Sequence, residues 1–317
     1  MKTVANTMAK RVTMRASRVY TLLLLACAAG AATLWAVTAP RPAFSKADVA
    51  FNQDGDASNG RMLFAAGDCA SCHASVGQPD RLRLGGGMAL ASQFGTFRVP
   101  NISTDKADGI GSWQTSDLAN ALLRGVSPNG THYYPVFPYS SYAKMTVEDV
   151  RDLMAFLRTL PAVSGKAPPH DLALPFRVRR FVGFWKILYF DHQPIVPDGH
   201  RGDDWNRGQY LVEAVAHCAE CHSSRDLFGG IKAATRFAGG VDPEGVGYFP
   251  NITPTRIGDW TARELAEVLK SGITPNHGRV GSSMTDVVTN TAMLPQSDRD
   301  AIAAYIKSLP ARPTPQP

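Results

Sequence analysis

The sequence predicts an all-α chain, in which an N-terminal apolar helix precedes two tandem small helical bundles of similar design. Three observations predict it. An uncharged run near the N-terminus is long enough for one spanning helix, the remainder reads as one pattern written twice, and the clearest apolar periodicities are helical. At 317 residues the chain has room for two domains of ordinary size. Its 44% hydrophobic and 19% charged residues suit a globular protein, not a disordered or multi-span membrane chain.

The first element is the N-terminal segment, residues 1–45. Lys2, Lys10, Arg11, Arg15 and Arg18 stand there without an acidic residue before the apolar run, and they supply most of the formal charge of +6. That pattern marks the cytoplasmic flank of an exported segment, not a nucleic-acid surface. From Tyr20 to Thr38 there is no charge, which is enough to cross a bilayer once and more than a signal peptide's apolar core requires. Pro40, Arg41 and Pro42 follow almost at once and leave a poor cleavage context. The expectation is an uncleaved anchor with the rest of the chain on the periplasmic side, a removed signal peptide being the alternative. Cys27 reads as a small apolar residue of that helix, not a lipid attachment point.

Next come two matching units, residues 46–165 and 205–317. A short helical run precedes each cysteine pair, NGRMLFAAGD in the first and NRGQYLVEAVAH in the second. A glycine-rich stretch follows each pair and ends in Pro100-Asn101-Ile102 or Pro250-Asn251-Ile252. Ile110-Gly111-Ser112-Trp113 and Ile257-Gly258-Asp259-Trp260 then open a helix in each unit. The closing helices place Val150, Leu153, Met154, Leu157 and Leu160 on one face, and Ile302, Tyr305, Ile306 and Leu309 on another. Residues 166–204 separate the units. The run RRFVGFWKILYF within them is too short and too basic to span a membrane, and the expectation is that it packs against the second unit. Resting on a membrane surface is the alternative. Its Arg177, Arg179, Arg180 and Lys186 alternate with aromatics, as on a nucleic-acid platform, but no nucleic-acid motif accompanies them and no such partner is expected.

Four of the five cysteines form two pairs, each followed by histidine: Cys69, Cys72 and His73, then Cys218, Cys221 and His222. Two thioethers to porphyrin vinyl groups need sulfurs about one helical turn apart, and the adjacent histidine then reaches the iron from the same side, so C-x-x-C-H reads as covalent haem attachment. A zinc site would want its second pair closer in sequence, and two copies inside matching repeats of an exported chain make a thioredoxin-type redox pair a poor fit. Two covalently attached haem c groups are expected, with His73 and His222 as iron ligands. Each group also supplies core that bundles of this size lack.

A closed electron carrier needs a sixth ligand on each iron, and a methionine thioether favours the reduced metal. In the second unit Met284 stands on the loop before the closing helix, while Met293 competes from a position that reads as core. In the first unit, aligning the closing helices puts Phe137 where a methionine is expected. Met145 is the nearest thioether and the expected ligand, with His132 as runner-up, Met88 possible but early, and Met154 read as core. His217 reads as surface or as a neighbour of the attached group. His170, His192, His200 and His277 read as loop or surface residues.

Taken together these residues resemble the cytochrome c subunits of membrane-bound bacterial dehydrogenases, such as those of alcohol and gluconate dehydrogenases. The resemblance covers nearly all of the chain after the N-terminal segment. It rests on CxxCH, Pro-Asn-Ile-Ser/Thr, Ile-Gly-x-Trp, Tyr-Pro-x-Phe-Pro-Tyr and the terminal Leu-Pro helix, in order and most of them twice. It implies two class I cytochrome c-like domains, with Pro100 and Pro250 accepting hydrogen bonds from the iron-ligating histidines. It also implies a carrier that takes electrons from a dehydrogenase and passes them to the quinone pool or an oxidase. The alcohol and gluconate subunits carry three haems where this sequence shows two attachment motifs, and many relatives have methionine at the position of Phe137. The expected function is therefore single-electron transfer with no catalysis of its own. A dihaem enzyme, peroxidase-like or thiosulfate-oxidising with one open iron, is the alternative, and a haem-based sensor ranks below both.

Overall fold

The computed structural model describes residues 2–51, 53–242 and 247–316. Side chains before Arg18, those of Lys2, Lys10, Arg11 and Arg15 among them, lie outside what it describes. Helix α1 (Lys2–Val37) contains the apolar stretch, Arg18–Val37, 20 residues of mean hydropathy 1.8 with no part buried. At about 1.5 Å per residue that stretch is as long as a bilayer core is thick. It fits a signal anchor or a signal peptide. The helix stops where the Thr38 hydroxyl turns back to the Leu34 carbonyl (2.7 Å) and Pro40 withholds a backbone donor.

The first half contains α2 (Ala57–Ala66), α3 (Cys69–His73), α4 (Thr115–Arg124), α5 (Tyr139–Tyr142) and α6 (Val147–Leu157). After α7 (Val182–Tyr189), the second half contains α8 (Asp203–Tyr210), α9 (Pro254–Ile257), α10 (Ala262–Ser271), α11 (Met284–Thr291) and α12 (Gln296–Lys307). Helix α8 runs on as a π-helical turn over Leu211–Val215. The faces marked by periodicity are the buried ones: Val150, Leu153, Met154, Leu157 and Leu160 in the first half, Ile302, Tyr305, Ile306 and Leu309 in the second. Each such side chain stabilises by about 1.5–3 kcal/mol when fully buried. Their core is continuous between the halves.

In each half the first and last helices cross at a glycine. A Cβ at Gly60 would overlap the Asp152 carbonyl of α6, and one at Gly208 the Ala301 carbonyl of α12. The middle helices repeat as well. Helix α4 ends on Gly125 (φ 57°) and α10 on Gly272 (φ 70°), in a left-handed conformation that glycine adopts without strain.

The fold is mostly helical, as expected, with two small antiparallel sheets added among the described residues. The glycine-rich stretch after the first cysteine pair folds into a hairpin, β1 (Ala89–Ser92) and β2 (Gly95–Arg98), with Ser92 opposite Gly95. Strand β3 (Asp171–Leu172) joins it, and a Cβ at Gly95 would overlap the Asp171 carbonyl. The second half has the shorter pair β4 (Gly240–Val241) and β5 (Tyr248–Phe249). Residues 166–204 are thus no simple spacer, since they add a strand to the first half and then the helix α7.

Candidate functional site

Each cysteine pair lies on a single turn that begins after a residue held left-handed, Asp68 (φ 54°) before Cys69 and His217 (φ 43°) before Cys218. Burial pushes the Cys69 and Cys218 thiols up to about 12 and Cys221 up to about 11, so before any attachment each would be a neutral thiol, not a thiolate. The following histidines are oriented alike. His73 donates from Nδ1 to the Pro100 carbonyl at 2.9 Å, and His222 donates to the Pro250 carbonyl at 2.7 Å. Burial lowers both imidazole pKa values despite those bonds, favouring the neutral ring with Nε2 as its unprotonated donor atom. A sulfur pair one turn apart beside such a histidine is the donor set that a covalent haem requires.

The glycine-rich stretches close over these turns. Gly86 donates its N–H to the His73 carbonyl and Gly239 to the His222 carbonyl, both at 2.9 Å and both with positive φ (68° and 92°). The Pro-Asn-Ile motif fixes what lies behind the histidine. Asn101 Oδ1 accepts from the Ser103 N–H (2.8 Å), while its Nδ2 donates to the Val163 carbonyl (2.6 Å) and so ties down the chain after α6. Asn251 repeats the arrangement with Thr253 (2.7 Å) and the Arg312 carbonyl (2.8 Å).

The halves differ on the segment expected to bring a sixth ligand. Met284 opens α11, half-buried against the core. Phe137 is also half-buried against the core, and its ring packs with Tyr133 (5.5 Å) and Tyr142 (5.8 Å). Met145 is buried at 5% exposure directly before Thr146, the N-cap of α6, and its N–H donates to the Tyr142 carbonyl. Leu294, at 3% exposure, holds the same place before Pro295, the N-cap of α12, with its N–H on the Thr291 carbonyl. The repeat therefore sets Met145 opposite an apolar core residue, not opposite Met284. His132, the runner-up, is buried and holds its Nε2 on the Thr38 carbonyl at the end of α1 (2.9 Å).

The two cysteine turns meet at the interface between the halves, and each rests on the other half. Asp68 and Ser71 accept hydrogen bonds from Asn290 of α11, and Arg81 pairs with Asp286 (2.7 Å). In return Glu220, between Cys218 and Cys221, accepts from the hydroxyls of Ser140 (2.9 Å) and Ser141 (3.2 Å) in α5. Burial works against the Glu220 charge, but Arg225 at 2.7 Å and the Ser140 hydroxyl hold the carboxyl below its usual range. His217, expected as surface or as a neighbour of the attached group, is half-buried at this seam. Its ring packs on Tyr142 (5.6 Å), and Nε2 donates to the Gly67 carbonyl (3.2 Å).

The cytochrome c family model matches residues 57–161. A protein described as a dihaem cytochrome c-type, from Cereibacter sphaeroides, is 48% identical over 91% of this chain and 97% of its own length. The chain belongs to the dihaem c-type cytochromes. The fructose dehydrogenase cytochrome subunit of Gluconobacter japonicus is 36% identical over 80% of this chain and 53% of its own. The cytochrome c subunit of the quinone alcohol dehydrogenase of Gluconobacter oxydans is 32% identical over 80% of this chain and 55% of its own. This dihaem cytochrome thus spans about half the length of those two dehydrogenase subunits.

As a member of that family the cytochrome carries covalently bound haem c, two groups for two attachment motifs. Of the residues singled out in the sequence, the structure places Cys69, Cys72, His73 and Pro100 together, and likewise Cys218, Cys221, His222 and Pro250. Sequence reasoning did not find Gly60, Gly208, Asn290 or the Glu220 contacts. The glycines carried a signal, at matching places before each cysteine pair; the contacts between halves carried none.

Proposed function

We propose that this dihaem cytochrome carries single electrons from a dehydrogenase toward the quinone pool or an oxidase, on the periplasmic side of the membrane. In this reading residues 46–165 and 205–317 are two tandem class I cytochrome c-like domains. The first attaches its haem through Cys69 and Cys72, with His73 on the iron. The second uses Cys218 and Cys221, with His222 and Met284. Haem iron supplies the change of oxidation state, while the chain sets its ligands, polarity and distance to the next centre. Pro100 and Pro250 orient the histidines. The single observation that carries the reading is the reciprocal seam, in which each cysteine turn packs on the distal segment of the other half. Such a seam would hold the two attachment sites at a fixed separation, as transfer between their haems requires.

For the first iron the sequence offers Met145 as the sixth ligand. The repeat favours a second reading, in which Phe137, packed on Tyr133 and Tyr142, stands in Met284's place and would offer that iron no sixth ligand. An open iron would suit the dihaem-enzyme alternative. Carbon monoxide binding to the reduced protein tests both. No spectral shift at either haem supports a closed two-centre carrier, whereas a shift at one haem, lost on Phe137→Met, supports the open first iron. Rapid reduction of both haems by an electron donor, at one rate independent of protein concentration, is the result expected for transfer within the molecule. Slow, concentration-dependent equilibration would sink the proposed role of the seam.

A further inference from the structure

Residues 174–190 carry an apolar surface that neither half covers. One side of α7 packs, on both halves and not on the second alone as the sequence suggested. Val182 and Gly183 are buried, Trp185 donates from Nε1 to the Phe228 carbonyl of the second half (3.1 Å), and Lys186 donates to the carbonyls of Arg124 (2.6 Å) and Gly125 (2.9 Å). The opposite side does not. Phe181, Phe184, Ile187 and Leu188 follow one another at helical spacing and are 48%, 39%, 57% and 68% exposed. Leu174 and Phe176 extend the patch.

Two independent observations identify what covers it. The first is position, because the patch begins where the apolar stretch of α1 ends. A Cβ at Gly183 would overlap the Thr38 carbonyl, and the Arg180 guanidinium lies 4.2 Å above the Trp35 ring. If α1 spans a bilayer, Trp35 and Thr38 mark the level at which it leaves the hydrocarbon, and α7 lies beside them. The second is charge. Arg177, Arg179 and Arg180 stand next to the patch, and a cleft of about 480 Å³ beside it is lined by Arg98, Lys166, Arg177 and Arg179 with a single acid, Asp108. An apolar, aromatic-rich helix face with a basic rim, at the end of a span, has the composition of an interfacial membrane segment.

We propose that Leu174, Phe176, Phe181, Phe184, Ile187 and Leu188 insert into the headgroup–acyl boundary of an anionic bilayer, with Arg177 and its basic neighbours on lipid phosphates. This second contact would fix how the two halves stand on the membrane, which a single helix with a short joint does not.

The test uses the full haem-loaded chain in nanodiscs of phosphatidylcholine and phosphatidylglycerol. A polarity-sensitive fluorophore is attached through Leu188→Cys, with Cys27→Ala to remove the competing thiol, and through Met293→Cys as a control on the second half, where the side chain is 49% exposed. Lipid carrying a nitroxide high on its acyl chain should quench the label at 188 by about threefold and leave that at 293 unchanged, as expected for insertion to headgroup depth. Equal, water-like signals at both positions would overturn the proposal. So would a label at 188 that is shielded from water yet unquenched by lipid, since a second copy or another protein would then be the occupant. As a label-free check, Phe184→Ser with Leu188→Ser should speed hydrogen exchange of residues 174–190 in nanodiscs several-fold. An unchanged rate would count against lipid contact.

Discussion

In the second half the chain leaves the bridge between Ile273 and Arg279 and winds into an eight-residue helix that opens on Met284. In the first half it leaves the matching bridge between Val126 and His132 and makes only the four-residue turn Tyr139–Tyr142, with Phe137 before it. Tyr133 and Val280 hold equivalent places, as their N–H groups donate to the carbonyls of Gly125 and Gly272. Met145 lies twelve positions after Tyr133 and Leu294 fourteen after Val280, so the shortening falls on this segment. The attachment side shows no such divergence, because histidine, proline carbonyl, glycine N–H and asparagine repeat nearly bond for bond. Backbone bonds around a covalent attachment tolerate little change, whereas the segment opposite can vary and so set each iron apart from the other.

The largest expected effect tests the shared framework. Gly60→Ala and Gly208→Ala each force a methyl group into a helix carbonyl and should cost about 3 kcal/mol, the upper end of overpacking, or prevent folding. Thermal unfolding would show it, and a cost in one half alone would mean that the helix crossings are not equivalent.

The distal segments come next. Met284→Leu should abolish the near-infrared methionine–ferric iron band of the second haem, lower its potential and open that iron to carbon monoxide. Met145→Leu should leave the first haem's ferric spectrum unchanged and cost less than about 1.5 kcal/mol, as a volume-conserving swap in a core does. Loss of a thioether band in that variant would establish Met145 as that iron's ligand.

A smaller effect is expected from acid. Burial works against the charge of Glu213, but Arg236 and Lys144 together hold its carboxyl below the ordinary value of 4.5. Lys144 comes from the first half and lies 3.7 Å away. A carboxylate whose pKa is lowered by folding contributes fully above its unfolded value and loses that contribution as the pH falls toward the folded one. Stability of the seam should therefore be level near neutrality and decline below about pH 4.5, more steeply in the native protein than in Glu213→Gln. Melting curves of the two across that range would check it.

The smallest effect concerns a helix start. Thr146 caps α6 by accepting from the Asp149 N–H (3.1 Å), whereas Pro295 offers α12 no such bond. Thr146→Ala should cost about 1 kcal/mol, and Pro295→Ala should cost nothing through lost capping, by the same calorimetry.

Much of the site was legible in the sequence. The cysteine pairs, His73, His222, Pro100 and Pro250 lie where the repeat and the resemblance put them, and the buried faces of α6 and α12 follow from spacing alone. The short strands were not legible, since their glycine-rich stretches show no strand alternation, and β3 joins β2 from more than seventy residues later. The place of Met145 within the repeat was hidden for a related reason. Its distance in sequence from the closing helix was plain, but its opposition to Leu294 depends on where the intervening turns run.

What the sequence by itself determined is therefore the local chemistry: two attachment motifs, a duplicated order of elements and an apolar N-terminal helix. Thioether spacing and amphipathic periodicity are set within one or two helical turns, so no tertiary information is needed to recognise them. Only the tertiary structure decided that the cysteine turns rest on each other's halves, that His217 is held in that seam, and that residues 174–190 leave an apolar face beside the end of α1. These are meetings of surfaces far apart in the chain, and which surfaces meet depends on how all the loops close at once.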